Sequence, residues 1–93
     1  MTIKNPTQNI HAFITGVSSG IGRALAENML EKGYRVSGIA RREAALKTLA
    51  DKYDQFFGIT GDVTDSDMIA DAIHQAEHRH GAIHQAILNA GTY

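Results

Sequence analysis

Thr15-Gly16-Val17-Ser18-Ser19-Gly20-Ile21-Gly22 is the stretch whose reading settles the architecture. It follows a short apolar run, Ile10-His11-Ala12-Phe13-Ile14, and opens a helical pattern over residues 21–32. A glycine-rich turn between a strand and a helix lets the backbone approach a pyrophosphate. Gly16 can take the positive φ that a tight exit from the strand needs. Gly20 has no Cβ to hold a diphosphate away, and Gly22 lets the helix pack close to the strand. The helix N-terminus adds unpaired N–H donors and a partial positive charge. Ser18 and Ser19 place hydroxyl donors beside it. The spacing is Gly-x-x-x-Gly-x-Gly, and three glycines alone would also suit an ordinary tight turn.

Outward from that turn, strand and helix signals alternate, which argues for an α/β fold with a parallel sheet and helical crossovers. The first helix is expected to place Ile21, Ala24, Leu25 and Met29 on one inward stripe and to end at Gly33. Residues 34–40 read as a second strand and residues 41–53 as a second helix with Ala45, Leu46 and Leu49 inward. Residues 55–59 form a third strand. Thr64 or Asp65 caps a third helix whose stripe is Met68, Ile69, Ala72, Ile73 and Ala76. Gly81 ends that helix, and residues 83–88 give a fourth strand. No repeat, linker or low-complexity segment interrupts the pattern, so one domain spans residues 1–93, with a polar lead at 1–9.

The run Thr-Gly-x-x-x-Gly-Ile-Gly at residues 15–22 resembles the cofactor motif of the short-chain dehydrogenase/reductase family. The resemblance implies a Rossmann-like, doubly wound sheet in the order 3-2-1-4 and a turn that binds the diphosphate of NAD or NADP. In that arrangement the ligand crevice lies at the switch point beside the ends of strands one and four. Selection between the two cofactors is read about 20 residues past the turn, at the end of the second strand. Ala40 stands there, followed by Arg41 and Arg42. Two guanidinium groups suit a phosphate dianion, which favours NADP(H) over NAD. A basic first turn on a solvated helix is the plainer alternative. Yet cations there oppose the helix dipole and ask for an anionic partner.

The resemblance also assigns Asp62-Val63, after the third strand, to the adenine ring, with the carboxylate accepting from the exocyclic amine. If Thr64 or Asp65 caps the helix, Asp62 is left free for the ligand; a helix-capping loop is the alternative. Leu88-Asn89-Ala90-Gly91 resembles the family's Asn-Asn-Ala-Gly motif, with Leu88 in place of its first asparagine. Ala90 and Gly91 would let the backbone pass close to the cofactor's ribose, while Asn89 either serves the site or ties neighbouring strand ends.

In the family, hydride passes between the nicotinamide and a carbonyl or alcohol carbon. A Tyr-x-x-x-Lys pair supplies general acid/base chemistry and a serine orients the substrate oxygen. Four places after Tyr34 stands Gly38, four after Tyr53 stands Phe57, and Tyr93 is the last residue. No catalytic residue is therefore assigned. The resemblance covers the first half of the family's fold, a truncated half that supplies dinucleotide binding and by itself is expected to be inactive. A free-standing half-domain that binds a dinucleotide, or that dimerises, is the alternative. Residues 85–88 would form an open sheet edge without proline or lysine, so marginal stability or pairing with a second copy is expected.

Composition excludes more than it assigns. A net charge of −1 over 93 residues points to neither nucleic acid nor a membrane surface as partner. No apolar run approaches the roughly 20 residues of a membrane helix, and the polar lead lacks a signal-peptide core. With no cysteine, a cytoplasmic protein is expected. Five histidines invite a metal reading, since His74 and His78 are four apart with His80 and His84 nearby. No His-Glu-x-x-His pattern accompanies them, so an exposed polar helix face is expected and no metal is assigned.

Overall fold

The apolar run before the glycine turn becomes an interior strand, buried at all five of its positions. In the computed structural model, which describes residues 10–17 and 20–88, strand β1 (His11–Thr15) is followed by helix α1 (Gly20–Glu31), β2 (Arg35–Ala40) and α2 (Glu43–Lys52). Then come β3 (Phe56–Thr60), α3 (Ser66–His80) and β4 (Gln85–Leu88). The strands form one parallel sheet in the order β3-β2-β1-β4. The register pairs Thr15 with Ile39 and Leu88, and Ala40 with Thr60, so the four strands end in one row. The Rossmann-like, doubly wound order expected from the motif is therefore present.

Period-two alternation sorts the strand side chains onto two faces. Ala12, Ile14, Val36, Ala40 and Phe56 form one core cluster with Ala26, Met29 and Leu30 of α1 and Leu46 and Leu49 of α2. Phe13, Ile39 and Ile59 point the other way and pack with Ala72 and Ala76 of α3. A strand buried on both faces needs an apolar run rather than strict alternation, which is what residues 10–14 supply.

Two helices differ from the expected pattern. The buried positions of α1 are Gly22, Ala26, Met29 and Leu30, with Leu25 half-buried. Ile21 is 80% exposed and Ala24 is exposed. The stripe is rotated because glycine and alanine at 22 and 26 allow the helix to sit close to the sheet. The largest apolar side chains therefore do not mark the buried face of α1. Helix α2 starts at Glu43, two residues later than expected, with Arg42 as N-cap in an extended conformation.

Helix α3 is N-capped by Asp65, whose carboxylate accepts from the backbone N–H groups of Asp67 and Met68 at 3.0 and 3.3 Å. Those bonds satisfy two of the four donors a helix start leaves open. Asp65→Ala is expected to destabilise the fold by about 1 kcal/mol, and Asp65→Asn by much less. Urea unfolding of the two variants checks this; equal losses would count against the cap as the cause.

Candidate dinucleotide site

The row of strand ends is held by backbone hydrogen bonds between neighbouring exits. The N–H groups of Gly16 and Val17 both donate to the Ile39 carbonyl, at 3.0 and 3.2 Å, and Gly61 N–H donates to Ala40 O at 3.0 Å. Val17, fully buried, pins the turn after β1 onto the core. Gly16 and Gly20 both adopt positive φ, 70° and 61°. That left-handed geometry strains residues with a Cβ and turns the chain from strand to helix in a few residues. A Cβ built on Gly20 would meet nothing within 4 Å, so Gly20 faces open space.

Around this turn the parallel sheet gathers the other expected site residues. Arg41 and Arg42 follow β2 and are both exposed. Arg42 is the N-cap of α2 but makes no side-chain capping bond, so both precede the helix rather than forming its first turn. Asp62 and Val63 follow β3 and are exposed. Ile21, Val63 and Leu88 are the exposed large hydrophobic residues among those described, at 80%, 36% and 72%, and all three stand beyond or at strand ends on this side. Leu88 was not expected in the site. Its signal in the sequence was its place immediately before Asn89, at the end of β4. Ser18, Ser19, Asn89, Ala90 and Gly91, the remaining expected contacts, lie outside the described residues.

Asp62 is less free than the sequence suggested. Asp65 alone caps α3, yet Asp62 Oδ1 accepts from both Thr64 N–H, at 2.9 Å, and Thr64 Oγ1–H, at 2.8 Å. The carboxyl is held below its ordinary pKa first by the Thr64 backbone bond and then by the Thr64 hydroxyl, with Arg41 adding to both. It is therefore ionised at neutral pH and can only accept hydrogen bonds. Both bonds fall on Oδ1.

The sequence matches the short chain dehydrogenase family model over residues 10–93. This chain belongs to the short-chain dehydrogenase family. An uncharacterised oxidoreductase of Saccharomyces cerevisiae is 41% identical over 82 residues, covering 85% of this chain and 32% of that protein. A short-chain dehydrogenase/reductase of Brucella melitensis has a TM-score of 0.87 at 26% identity, covering 98% of this chain and 40% of that one. An actinorhodin polyketide ketoreductase solved with NADPH has a TM-score of 0.82 at 31% identity, covering 92% and 35%. The short-chain dehydrogenase chain described here thus spans about a third of the length of the curated relative it matches. The family is one of NAD(P)-dependent oxidoreductases. Among the described residues, no helix is long and apolar enough to cross a membrane. No group of three or more histidine, cysteine or acidic residues among them is arranged to hold a metal ion.

Proposed function

We propose that this chain is the dinucleotide-binding part of a short-chain dehydrogenase that uses NADP(H) to interconvert a carbonyl and an alcohol. The observation that carries the reading is the gathering, at one end of the sheet, of an open left-handed glycine turn, two exposed guanidinium groups and three exposed apolar side chains. Such a surface suits a ligand that combines anionic groups with flat rings. The turn at residues 16–22, with the Ser18 and Ser19 hydroxyls, holds the diphosphate through backbone N–H groups and the α1 N-terminus. Arg41 and Arg42 hold the 2′-phosphate. Asp62 accepts from the adenine amine while Val63 covers the ring. Asn89, Ala90 and Gly91 line the path toward the nicotinamide, with Ile21 beside it. The bound cofactor supplies or accepts the hydride, and this chain's residues orient it.

The choice of NADP(H) rests on the arginine pair, because the family uses either dinucleotide. Titration of the chain with NADPH and with NADH, followed by calorimetry, tests it. NADPH is expected to bind at least tenfold more tightly. Arg41→Ala with Arg42→Ala is expected to remove about 10- to 100-fold of NADPH affinity, the scale of one charge-assisted contact, and to leave NADH nearly unchanged. Equal binding of both nucleotides by the unaltered chain would remove the NADP(H) assignment. Binding of neither would remove the dinucleotide reading of this chain.

A further inference from the structure

At the opposite end of the sheet three histidines meet. His11, at the start of β1, is fully buried. Its Nδ1 lies 2.9 Å from the Gly81 carbonyl, which can only accept, so Nδ1 carries the proton. Its Nε2 is then a bare acceptor for the Ser37 hydroxyl at 2.7 Å. His84 ties the start of β4 to β1 twice. Its backbone N–H donates to His11 O at 2.9 Å, and its ring Nδ1 accepts from His11 N–H at 3.0 Å. That Nδ1 must be unprotonated for the second bond to exist. His80, the last residue of α3 and 8% exposed, presents its ring edge-on to His11, with centroids 5.1 Å apart. Its buried Nε2 has no hydrogen-bond partner.

We propose that His11, His80 and His84 form an acid-sensitive clasp that holds the start of β4 and the end of α3 against β1 while all three rings are neutral. Protonating His84 at Nδ1 sets an N–H against the His11 N–H. Protonating His80 puts a charge and an unsatisfied donor into the core. Among the described residues, the charged groups that act on the two buried rings are basic: Arg35 from β2 on both, His84 on His11, and His11 and Arg79 of α3 on His80. From β3 the neighbouring ring is Phe57, and the Gln55 backbone favours the charged form of His80. Among the described residues, no carboxylate is a cause of the shift at either buried ring.

Burial first, then the surrounding positive charge, lowers His80 from 6.5 to about 4, and burial lowers His11 as well. An imidazole that is harder to protonate folded than unfolded contributes stability above pH 6.5, and that stability is lost as pH falls toward the folded value. From pH 7 to pH 5 the His80 shift alone lowers the folding equilibrium constant about 20-fold. Because β4 leads into Asn89, Ala90 and Gly91, opening the clasp also weakens dinucleotide binding; this last link rests on the function proposed above.

Urea unfolding of the full chain at pH 7 and pH 5, with amide exchange at His11 and Gln85, tests the clasp without any nucleotide. The unaltered chain is expected to lose about 20-fold or more in folding constant, with both amides exchanging faster at pH 5. His80→Phe keeps a ring edge that cannot titrate, and His84→Asn keeps an acceptor near the place of Nδ1. Together they are expected to shrink the loss to a few-fold and keep the His11 amide protected. An unchanged loss in that double variant, or no loss in the unaltered chain, overturns the clasp. If the double variant does not fold, ring titration by NMR in the unaltered chain decides: His80 and His11 titrating like free imidazole overturns it. NADPH binding measured at both pH values separates the two ideas, since a clasp that opens in a chain that never binds NADPH leaves the clasp standing and removes its link to the cofactor.

Discussion

On the function proposed above, Gly20→Val is expected to lower NADPH affinity about 100-fold or more and to leave the chain folded. Gly20 sits at φ 61° where α1 begins, and a Cβ there projects into open space. The fold therefore meets no collision, only the backbone strain of a branched residue in the left-handed region, about 1–2 kcal/mol. A ligand at the turn meets the new methyl groups directly. It is pushed off the N–H donors, and two charge-assisted contacts weakened by about 1.4 kcal/mol each amount to the stated hundredfold. Calorimetric titration with NADPH, alongside urea unfolding, reads the two effects separately. Gly20→Asn serves as the control for strain, because asparagine tolerates this conformation but still has a Cβ. Full NADPH affinity in both variants would place the diphosphate elsewhere.

The second large effect is on stability. Gly38→Ala is expected to cost about 3 kcal/mol, the upper end of what overpacking a close-packed interior usually costs. Gly38 lies in the middle of β2, and a Cβ there would stand 2.8 Å from both Val17 methyl groups and 3.1 Å from the Phe56 ring. Val17 has no flexible end to swing away, and it is fully buried. Its own N–H and that of Gly16 are bonded to Ile39 O, so moving it would strain the turn after β1. The substitution therefore links the core to the site: NADPH binding should fall even in the fraction that folds. Urea midpoints and calorimetry measure the two losses. A variant as stable as the unaltered chain would mean that Val17 shifts without cost. The pairing with Gly20 is informative because the two glycines differ: a Cβ on Gly20 meets open space, where the proposed ligand would sit, and a Cβ on Gly38 meets the Val17 side chain.

Much of this was legible along the chain. The glycine turn between an apolar run and a helical pattern marked β1 and α1, and alternating signals marked the parallel sheet, because each depends on neighbours within a few residues. Helix ends were legible for the same reason: Asp65 and Gly81 act on backbone groups one turn away. Helix α2 starts two residues later than the spacing predicts, since nothing local distinguishes an N-cap arginine from one in the first turn.

Other features depended on groups far apart in sequence. His80 continues the stripe of Ala72 and Ala76 at intervals of four, so its inward position could have been inferred from α3 alone. Its contact with His11 could not, because the two are brought together by the β3-β2-β1-β4 order. Likewise, Asp62 looked free once a cap for α3 was available, but the loop turns Thr64 back onto it. Ile21 looked like core by its size, yet close packing at Gly22 and Ala26 turned it to the surface beside the proposed site.

Local chemistry thus settled the alternation of elements, the glycine turn and the basic pair after β2, because propensity, capping and positive φ act over a few residues. The helix rotation that exposes Ile21, the row of exits joined through Ile39 O and Ala40 O, and the meeting of His11, His80 and His84 came from the tertiary structure. Each depends on how closely one element can approach another, and that distance is set by side chains dozens of residues away.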